Sequence, residues 1–227
     1  MGRKHQIRIS GSTLMCVFLL ALSACDISSD DGDESHKVNG SIHVPAGRAA
    51  TDVKTVNGSI SVEDNGAIVS AGTVNGGIKL GSHATATTLS TVNGGITLAD
   101  AAHATEAHTV NGDISLADGA ELTGPLINTN GKITVTAAHV GGGIKTANGD
   151  ISIMGASHVE GGIEVQEVSS GFSLGVRDPT IIIGPGATVQ GDLVFKRKVL
   201  LLVSDRATIG TVTGATAVAF TGDTPPP

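Results

Sequence analysis

The chain has 227 residues and a formal net charge of −7, with 32 glycines, four phenylalanines and neither tryptophan nor tyrosine. A core so poor in aromatic residues must be built from Val, Ile, Leu and Ala, which is unusual for a compact enzyme. The acidic balance argues against nucleic acid as a partner, because binding to phosphates needs clustered Lys and Arg.

The N-terminus has the pattern of an export signal. Three cationic residues lie among the first eight, residues 14–21 form an apolar run too short to span a bilayer, and "LSAC" follows at 22–25. These four residues resemble a bacterial lipobox, which implies cleavage after residue 24 and acylation of Cys25. Two acyl chains hold a protein stably on a membrane. The resemblance therefore predicts a signal peptide at 1–24 and a lipid anchor at Cys25, placing the protein in the bacterial cell envelope.

The residues after the signal predict an acidic tether. The other cysteine, Cys16, lies in the segment to be removed, so Cys25 has no partner for an internal disulfide. Loss of residues 1–24 takes away three positive charges and lowers the formal net charge from −7 to −10. Residues 26–37 contain five acidic residues, three serines and one isoleucine. We interpret 25–37 as the acylated cysteine and a disordered tether; the sequence leaves open which membrane, and which side of it, the anchor uses.

An Asn-Gly pair then recurs with a nearly constant period. Seven copies in one phase begin at Asn39, Asn57, Asn75, Asn93, Asn111, Asn130 and Asn148. A fixed period of this size predicts a solenoid, in which each coil buries its apolar side against its neighbours. Apolar and polar residues alternate after each pair, as in Ile96-Thr97-Leu98, which indicates a strand. A second short apolar segment in each repeat, such as Glu121-Leu122, indicates another.

These patterns predict an all-β fold. The expected architecture is a single-stranded parallel β-helix, a β-solenoid with about 18 residues per coil, over residues 38–215, with a C-terminal tail at 216–227. Eighteen residues are also three hexapeptides, but resemblance to the left-handed hexapeptide fold would imply a small residue two positions before each aliphatic one. Isoleucines occupy that place at Ile60, Ile78, Ile96 and Ile114, so a right-handed coil is favoured.

Each Asn-Gly pair is interpreted as a corner, because both residues tolerate the left-handed backbone of a sharp bend. Stacked corners place Asn above Asn, which predicts a ladder of amide hydrogen bonds along the solenoid axis. A second ladder is expected from Thr55, Thr73, Thr91 and Thr109. A hairpin turn is the alternative for Asn-Gly, although it does not explain so long a repeating unit. Whether the Asn side chains point inward, and whether the row binds a glycan or an ice-like surface, stays open.

The C-terminal part changes its repeat. Residues 179–195 and 198–215 predict two further coils, with Ile181-Ile182-Ile183 aligned on Leu200-Leu201-Leu202. A protruding loop is expected at 164–178. The pattern at 183–193, Ile-Gly-x-Gly-Ala-x-Val-x-Gly-x-Leu, resembles bactofilins, which are polymer-forming bacterial β-helices. The Asn-Gly array over 38–151 resembles a bacterial adhesin-like domain family built of NG-x-I coils. Neither resemblance implies catalytic residues.

The sequence contains two candidate functional sites, a carboxylate pair and a histidine pair, and each also has a purely structural interpretation. Asp113 and Asp150 share a phase, two coils apart with Lys132 between them, and paired carboxylates ~5 to 9.5 Å apart serve glycoside hydrolysis. No aromatic residue lies nearby to hold a sugar, so a solvated face is the preferred interpretation and no enzyme activity is predicted.

Histidines supply the second candidate. His139 and His158 should stack on adjacent coils, and His103 and His108 form another close pair. A metal site needs three or four ligands, so exposed neutral histidines are preferred, and neither a metal nor a cofactor is predicted. The basic run "FKRK" at 195–198 is interpreted as a solvated turn or an end of the solenoid.

These expectations combine into a lipid-anchored envelope β-solenoid with a structural or adhesin-like role. Its expected partners are the membrane, through the anchor, and an envelope protein or glycan, and it is expected to be a monomer or small oligomer. The alternatives are a polysaccharide-modifying enzyme on a β-helix and a bactofilin-like polymerising scaffold.

Overall fold

The computed structural model describes residues 34–167 and 177–225. All regular structure in these ranges is β-strand, and the strands pair in parallel with those of neighbouring coils. Within the same ranges no helix has the length and apolarity needed to cross a membrane. The predicted signal peptide and Cys25 lie outside the described residues.

The N-terminal half alternates between longer and three-residue strands. In chain order they are β1 (Glu34–Asn39), β2 (Ile42–Val44), β3 (Ala49–Asn57), β4 (Ile60–Val62), β5 (Ala67–Asn75), β6 (Ile78–Leu80), β7 (Thr85–Asn93), β8 (Ile96–Leu98), β9 (His103–Asn111) and β10 (Ile114–Leu116). Each predicted Asn of this half closes one of the longer strands.

The C-terminal half has shorter strands, and most of its coils contain three strands. They are β11 (Glu121–Leu122), β12 (Leu126–Asn130), β13 (Ile133–Thr136), β14 (His139–Val140), β15 (Ile144–Thr146), β16 (Ile151–Met154), β17 (His158–Val159), β18 (Ile163–Val165), β19 (Thr180–Ile183), β20 (Thr188–Val189), β21 (Leu193–Phe195), β22 (Leu200–Ser204), β23 (Thr208–Ile209), β24 (Val212–Thr213) and β25 (Ala217–Phe220).

The strands stack into two sheets that run the length of the molecule. One sheet has ten strands, in the order β2-β4-β6-β8-β10-β13-β16-β19-β22-β25. The other begins as β1-β3-β5-β7-β9 and then divides into the columns β11-β14-β17-β20-β23 and β12-β15-β18-β21-β24. The structure confirms the predicted parallel β-solenoid, with about ten turns and the predicted repeat length. The parallel pairing excludes a hairpin at Asn-Gly.

One inserted residue coincides with the division of the second sheet. Leu122 pairs with Ala104 and Leu126 pairs with Ala107. The two paired positions are therefore four residues apart in this coil and three residues apart in the preceding coil. The extra residue therefore lies between Leu122 and Leu126, where the chain contains Pro125. Because proline has no N–H to donate to a ladder, the long strand is interrupted and the coil continues as two separate strands.

The core is a stack of aliphatic side chains. Ile96 is fully buried and pairs with Ile78 on one side and Ile114 on the other. Leu98 repeats the arrangement two residues later, while Thr97 between them is exposed. Complete burial of one such side chain contributes about 1.5–3 kcal/mol. The predicted alternation of apolar and polar residues thus forms the inner wall of each coil.

The solenoid is longer at both ends than the predicted boundaries. Glu34 already pairs with Asp52, inside the segment expected to be a disordered tether. At the other end Ala217 pairs with Leu201, beyond the expected limit at residue 215. Both added strands expose most of their side chains. They are ordered by the backbone ladder of the adjacent coil, which leaves little trace in hydropathy.

The predicted alignment of the last coils was wrong by one residue. Ile181 stacks on Leu201 and Ile183 on Val203, whereas Leu200 is 46% exposed. A slip of one residue reverses which side chains face the core, and three consecutive aliphatic residues do not show which of them point inward. The coil before it is enlarged, since Ile153 pairs directly with Ile183, well beyond the regular repeat. Most of the predicted loop at 164–178 lies outside the described residues.

The predicted left-handed backbone at Asn-Gly is also wrong for most copies. None of the seven Asn residues has a positive φ, and among their glycines only Gly40 and Gly131 do, at 112° and 122°. The left-handed corner stacks elsewhere in the coil. Its positions are Gly47, Asn65, His83, Ala101, Gly119, Ala137, Gly155 and Gly186. The residue type varies from coil to coil there, so the sequence gives no repeated signal for it.

Glycine after each Asn is instead required by close backbone approach. A Cβ added at Gly94 would lie 2.0 Å from the carbonyl oxygen of Gly76, and one at Gly112 would lie 2.0 Å from that of Gly94. No Cβ can occupy that space without moving backbone. The chain therefore repeats glycine because adjacent coils touch at this position.

This contact predicts different effects on stability for two Gly→Ala substitutions. Gly94→Ala should lower the free energy of unfolding by about 3 kcal/mol or more, because backbone must shift to admit the methyl group. Gly72→Ala is the matched control, since the nearest atom to its Cβ would be Lys54 Cγ at 3.6 Å. The control should be neutral or slightly stabilising in urea denaturation. Equal losses in the two variants would contradict the close-approach explanation.

Candidate functional site

The seven predicted Asn residues form one continuous ladder on the outside of the solenoid. From Asn57 onwards, each Nδ2 donates to the Oδ1 of the Asn one coil earlier, in six bonds of 2.8–3.0 Å. Asn39 to Asn111 are exposed, while Asn130 and Asn148 are partly buried. The structure thus contains the expected ladder and shows that the side chains point outward.

The ladder has a direction, and an arginine closes one end of it. Every amide donates towards the N-terminal end, so the oxygen of Asn148 is left at the C-terminal end. Arg197 donates to this oxygen and to the backbone carbonyl of Ala147. A guanidinium is well suited to this end, because it offers several N–H donors and a positive charge. The basic run at 195–198 therefore contains a cap for the ladder, which sequence reasoning missed because Arg197 lies far from Asn148 along the chain.

A buried polar column runs beside the Asn ladder. Each threonine predicted for the second ladder donates to a glycine carbonyl of the preceding coil, as Thr73 Oγ1 does to Gly58 at 2.9 Å. Asn128 takes the next position and donates to the carbonyls of Gly112 and Gly131. Its Oδ1 is buried without a partner. The Asn ladder on the outside and the buried polar column on the inside therefore both join neighbouring coils through hydrogen bonds.

The paired carboxylates bind backbone of the neighbouring coil. Asp113 and Asp150 share a phase as predicted, because Ile133 pairs with both Ile114 and Ile151. Asp113 Oδ1 accepts from the N–H of Lys132 at 2.7 Å, and Asp150 Oδ1 accepts from the N–H of Thr180 at 2.8 Å. The second oxygen of Asp150 pairs with Arg177. Both groups therefore serve the joining of coils.

An irregular column of ionisable side chains crosses another face. Strand pairing stacks His103, Glu121, His139 and His158 in successive coils, and we call these four residues the His–Glu column. The predicted stacking of His139 on His158 is confirmed, with ring centroids 5.6 Å apart and an interplanar angle of 38°. His103 and His108 belong to different columns, and burial lowers the pKa of His108 while Glu106 opposes that shift.

Glu121 and Glu160 contact histidines of the His–Glu column. His139 Nδ1 faces Glu121 Oε1 at 3.7 Å, and its Nε2 lies 3.1 Å from Glu160 Oε1. The other oxygen of Glu121 lies 3.0 Å from His103 Nδ1. Sequence reasoning missed both glutamates, although Glu160 lies two residues after His158, the spacing that puts two side chains on one face of an extended segment.

A shallow groove of about 730 Å³ lies on the face formed by β12, β15, β18 and β21. Glu164 occupies its centre and pairs with Lys145 at 2.9 Å and with Lys196. The hydrogen bonds from Lys196 and then Lys145 hold the pKa of Glu164 below its ordinary value. Ile127, Val194 and Asp192 also line the groove. Its central charged groups, Lys145, Glu164 and Lys196, are paired with one another.

Comparisons with protein-family models, with curated proteins and with solved structures returned no match for this chain. The fold is compatible with repeat β-helix families, and its function has to be argued from its own residues.

The ladder predicts a position-dependent loss of stability. Asn93→Ala removes one bond to Asn75 and one from Asn111, whereas Asn39→Ala removes only the bond from Asn57. At about 0.5–1.5 kcal/mol per bond, Asn93→Ala should lower the free energy of unfolding roughly twice as much as Asn39→Ala in urea titration. Equal effects at the two positions would mean that the ladder adds no stability.

Proposed function

We propose that this chain is a lipid-anchored β-solenoid of the bacterial cell envelope with a structural or adhesin-like binding role. The observation that carries the proposal is the Asn ladder, which repeats one polar group at every coil over seven coils and is exposed over the first five of them. A repeated group of this kind suits a partner that is itself repetitive, such as an envelope glycan.

The amide chemistry supports binding by the ladder. A carboxamide has two N–H donors and an oxygen with two lone pairs. The ladder uses one donor and one lone pair of each inner Asn, for example in the bonds of Asn75 to Asn57 and from Asn93. A second N–H and a second lone pair remain on the exposed face, repeated at about the 4.8 Å spacing of neighbouring strands. Sugar hydroxyls are donors and acceptors that match such a row.

The anchor at Cys25 supports location in the envelope. The lipobox-like "LSAC" follows a positive region and an apolar run. A membrane anchor would lie only nine residues before β1, the first strand of the described residues, which begins at Glu34. The ladder would then be presented close to the membrane, where wall or surface polymers are found.

Acylation of Cys25 is the first part of the test. In the wild type we expect mass spectrometry to find a mature chain that begins at diacylglycerol-modified Cys25, and fractionation to find it with membranes. Cys25→Ser should remain uncleaved and carry no diacylglycerol. An unmodified Cys25, or cleavage at another position, would contradict the anchor.

Retention of envelope polysaccharide by the purified acylated chain is the second part. The wild type should retain polysaccharide prepared from the same envelopes, and Asn75→Ala should retain less. Gly72→Ala is a matched control in the same coil that leaves the ladder intact. Equal retention by all three proteins would remove the Asn ladder from the binding role while leaving the anchor unaffected.

A polymerising scaffold is the second candidate, because the last coil leaves an edge. In the described residues β25 pairs only with β22, and Val218 is 47% exposed. An unpaired strand edge is a template for another chain. Arg206 fixes the segment after β25 by hydrogen bonds to the carbonyl of Gly222 at 3.5 Å and to the carboxylate of Asp223. Pro225 follows, and proline cannot donate to a ladder.

We therefore expect the purified acylated chain to be a monomer or small oligomer in detergent and to form no filaments. Negative-stain electron microscopy at micromolar concentration checks this expectation. Ordered filaments would favour the scaffold, and their loss in a variant with a charged residue at the exposed edge, Val218→Lys, would assign the contact to β25.

A further inference from the structure

We propose a divalent zinc site formed by His139, His158 and Glu160 on the outer face of the solenoid. One nitrogen of each histidine and a carboxylate oxygen of Glu160 all lie within 4.8 Å of one another. Two imidazoles and one carboxylate form a ligand set that zinc accepts, with a fourth position for water. The site is independent of the Asn ladder and of the lipid anchor.

The backbone places the three ligands without a loop. His139 and His158 pair directly across β14 and β17, so their Cα atoms keep the spacing of adjacent strands. Glu160 follows β17 and its backbone N–H bonds the carbonyl of Val140, which keeps it beside the coil of His139. Two ligands thus come from one coil and the third from its neighbour, so the ion would bridge two coils.

Small side-chain rotations are enough to close the site. In a tetrahedral site with Zn–N and Zn–O distances near 2.0–2.1 Å, ligand atoms lie about 3.3 Å apart. His139 Nε2 and Glu160 Oε1 already lie 3.1 Å apart. The ring centroids of His139 and His158 lie 5.6 Å apart and the rings are tilted by 38°, which leaves room for a nitrogen of His158 to turn towards the same point.

Glu121 adds negative charge beside His139. One of its oxygens lies 3.7 Å from Nδ1 of His139, while Nε2 of His139 points towards Glu160. Glu121 and Glu160 thus place two negative charges on this face, which favours a cation.

The ligands are accessible to an ion from solvent. The side chain of His139 is 37% exposed and that of Glu160 is 53% exposed. Imidazole nitrogens select zinc over magnesium or calcium, which prefer oxygen ligands. An ion held between the coils of β14 and β17 would also bind the folded chain only, so it should raise the thermal stability of the protein.

Zinc titration of the purified protein, in the form in which its cells produce it, tests the site. The protein should carry a purification tag without histidine and be washed with chelator before zinc chloride is titrated by calorimetry. We expect one site per chain in the wild type. His139→Thr, His158→Thr and Glu160→Gln should each weaken binding about tenfold or more. Threonine is chosen because Thr188 occupies the next position after His158 in the same stack.

His83→Asn is the matched control. His83 is exposed and lies in the left-handed corner column, where Asn65 occupies the equivalent position of the preceding coil. This variant removes a histidine with little strain and should bind zinc as the wild type does. Cobalt chloride gives a second readout, because visible absorption of a four-coordinate cobalt ion should appear in the wild type and in His83→Asn and be lost in His158→Thr.

Three results would overturn the site. They are the absence of zinc binding by the wild type, an affinity in the His158→Thr and Glu160→Gln variants within about threefold of wild type, and an equal loss in His83→Asn. Thermal unfolding separates folding defects from ligand loss, because folded variants should match the metal-free wild type and show no rise in melting temperature with zinc.

Discussion

Hydrogen bonding between parallel strands of successive coils is the interaction on which this structure depends. It holds neighbouring coils about 4.8 Å apart and keeps equivalent residues of successive coils in register over most of the array. Register then decides what each side chain meets. Ile96 meets isoleucine on both sides, and the carbonyl of Gly76 comes so close to Gly94 that no side chain fits. The repeated Asn-Gly pair in the sequence reflects this close contact between coils.

A stacked repeat turns every position of a coil into a column. Inward columns become the core, and outward columns become rows of one chemistry, as the Asn ladder does. Such rows repeat one chemistry along the length of the solenoid. The His–Glu column differs because its residue type changes from coil to coil, and there His139 meets Glu121 on one side and Glu160 on the other. In a solenoid of this kind, departures from the repeat are the places to look for a specific site.

The periodicity of the sequence predicted a large part of this. The constant spacing of Asn-Gly and the alternation within each repeat were enough for the parallel solenoid, the stacking of His139 on His158 and the Asn ladder. Periodicity shows which residues share a column, but it does not show the direction of a side chain at a corner. The outward orientation of the Asn side chains and the left-handed corner at Asn65 therefore needed coordinates.

Contacts between columns were the other part that the sequence could not supply. Arg197 reaches Asn148 across an enlarged coil, and Glu160 reaches His139 diagonally. Glu160 and His139 do not share a phase of the repeat. Arg197 continues the register of Asn148, but the enlarged coil between them breaks the regular spacing from which the sequence could have shown it. The misaligned pairing of Ile181 has a related cause, because "III" and "LLL" look the same in either register until Leu200 is seen to be exposed. Repetition shows which residues share a column, but it does not show which residues of different columns contact one another.

The growth of distance with coil number tests the stacking most directly. Ser61, Thr97 and Thr134 share one outward column, with Thr97 two coils and Thr134 four coils along from Ser61. Spin labels at Ser61 and Thr97, and in a second sample at Ser61 and Thr134, should be about 10 Å and about 19 Å apart at about 4.8 Å per coil. Electron paramagnetic resonance measures both distances. Separations that rise with the number of intervening coils are the predicted result, and equal or shorter separation of the Ser61 and Thr134 pair would contradict the solenoid.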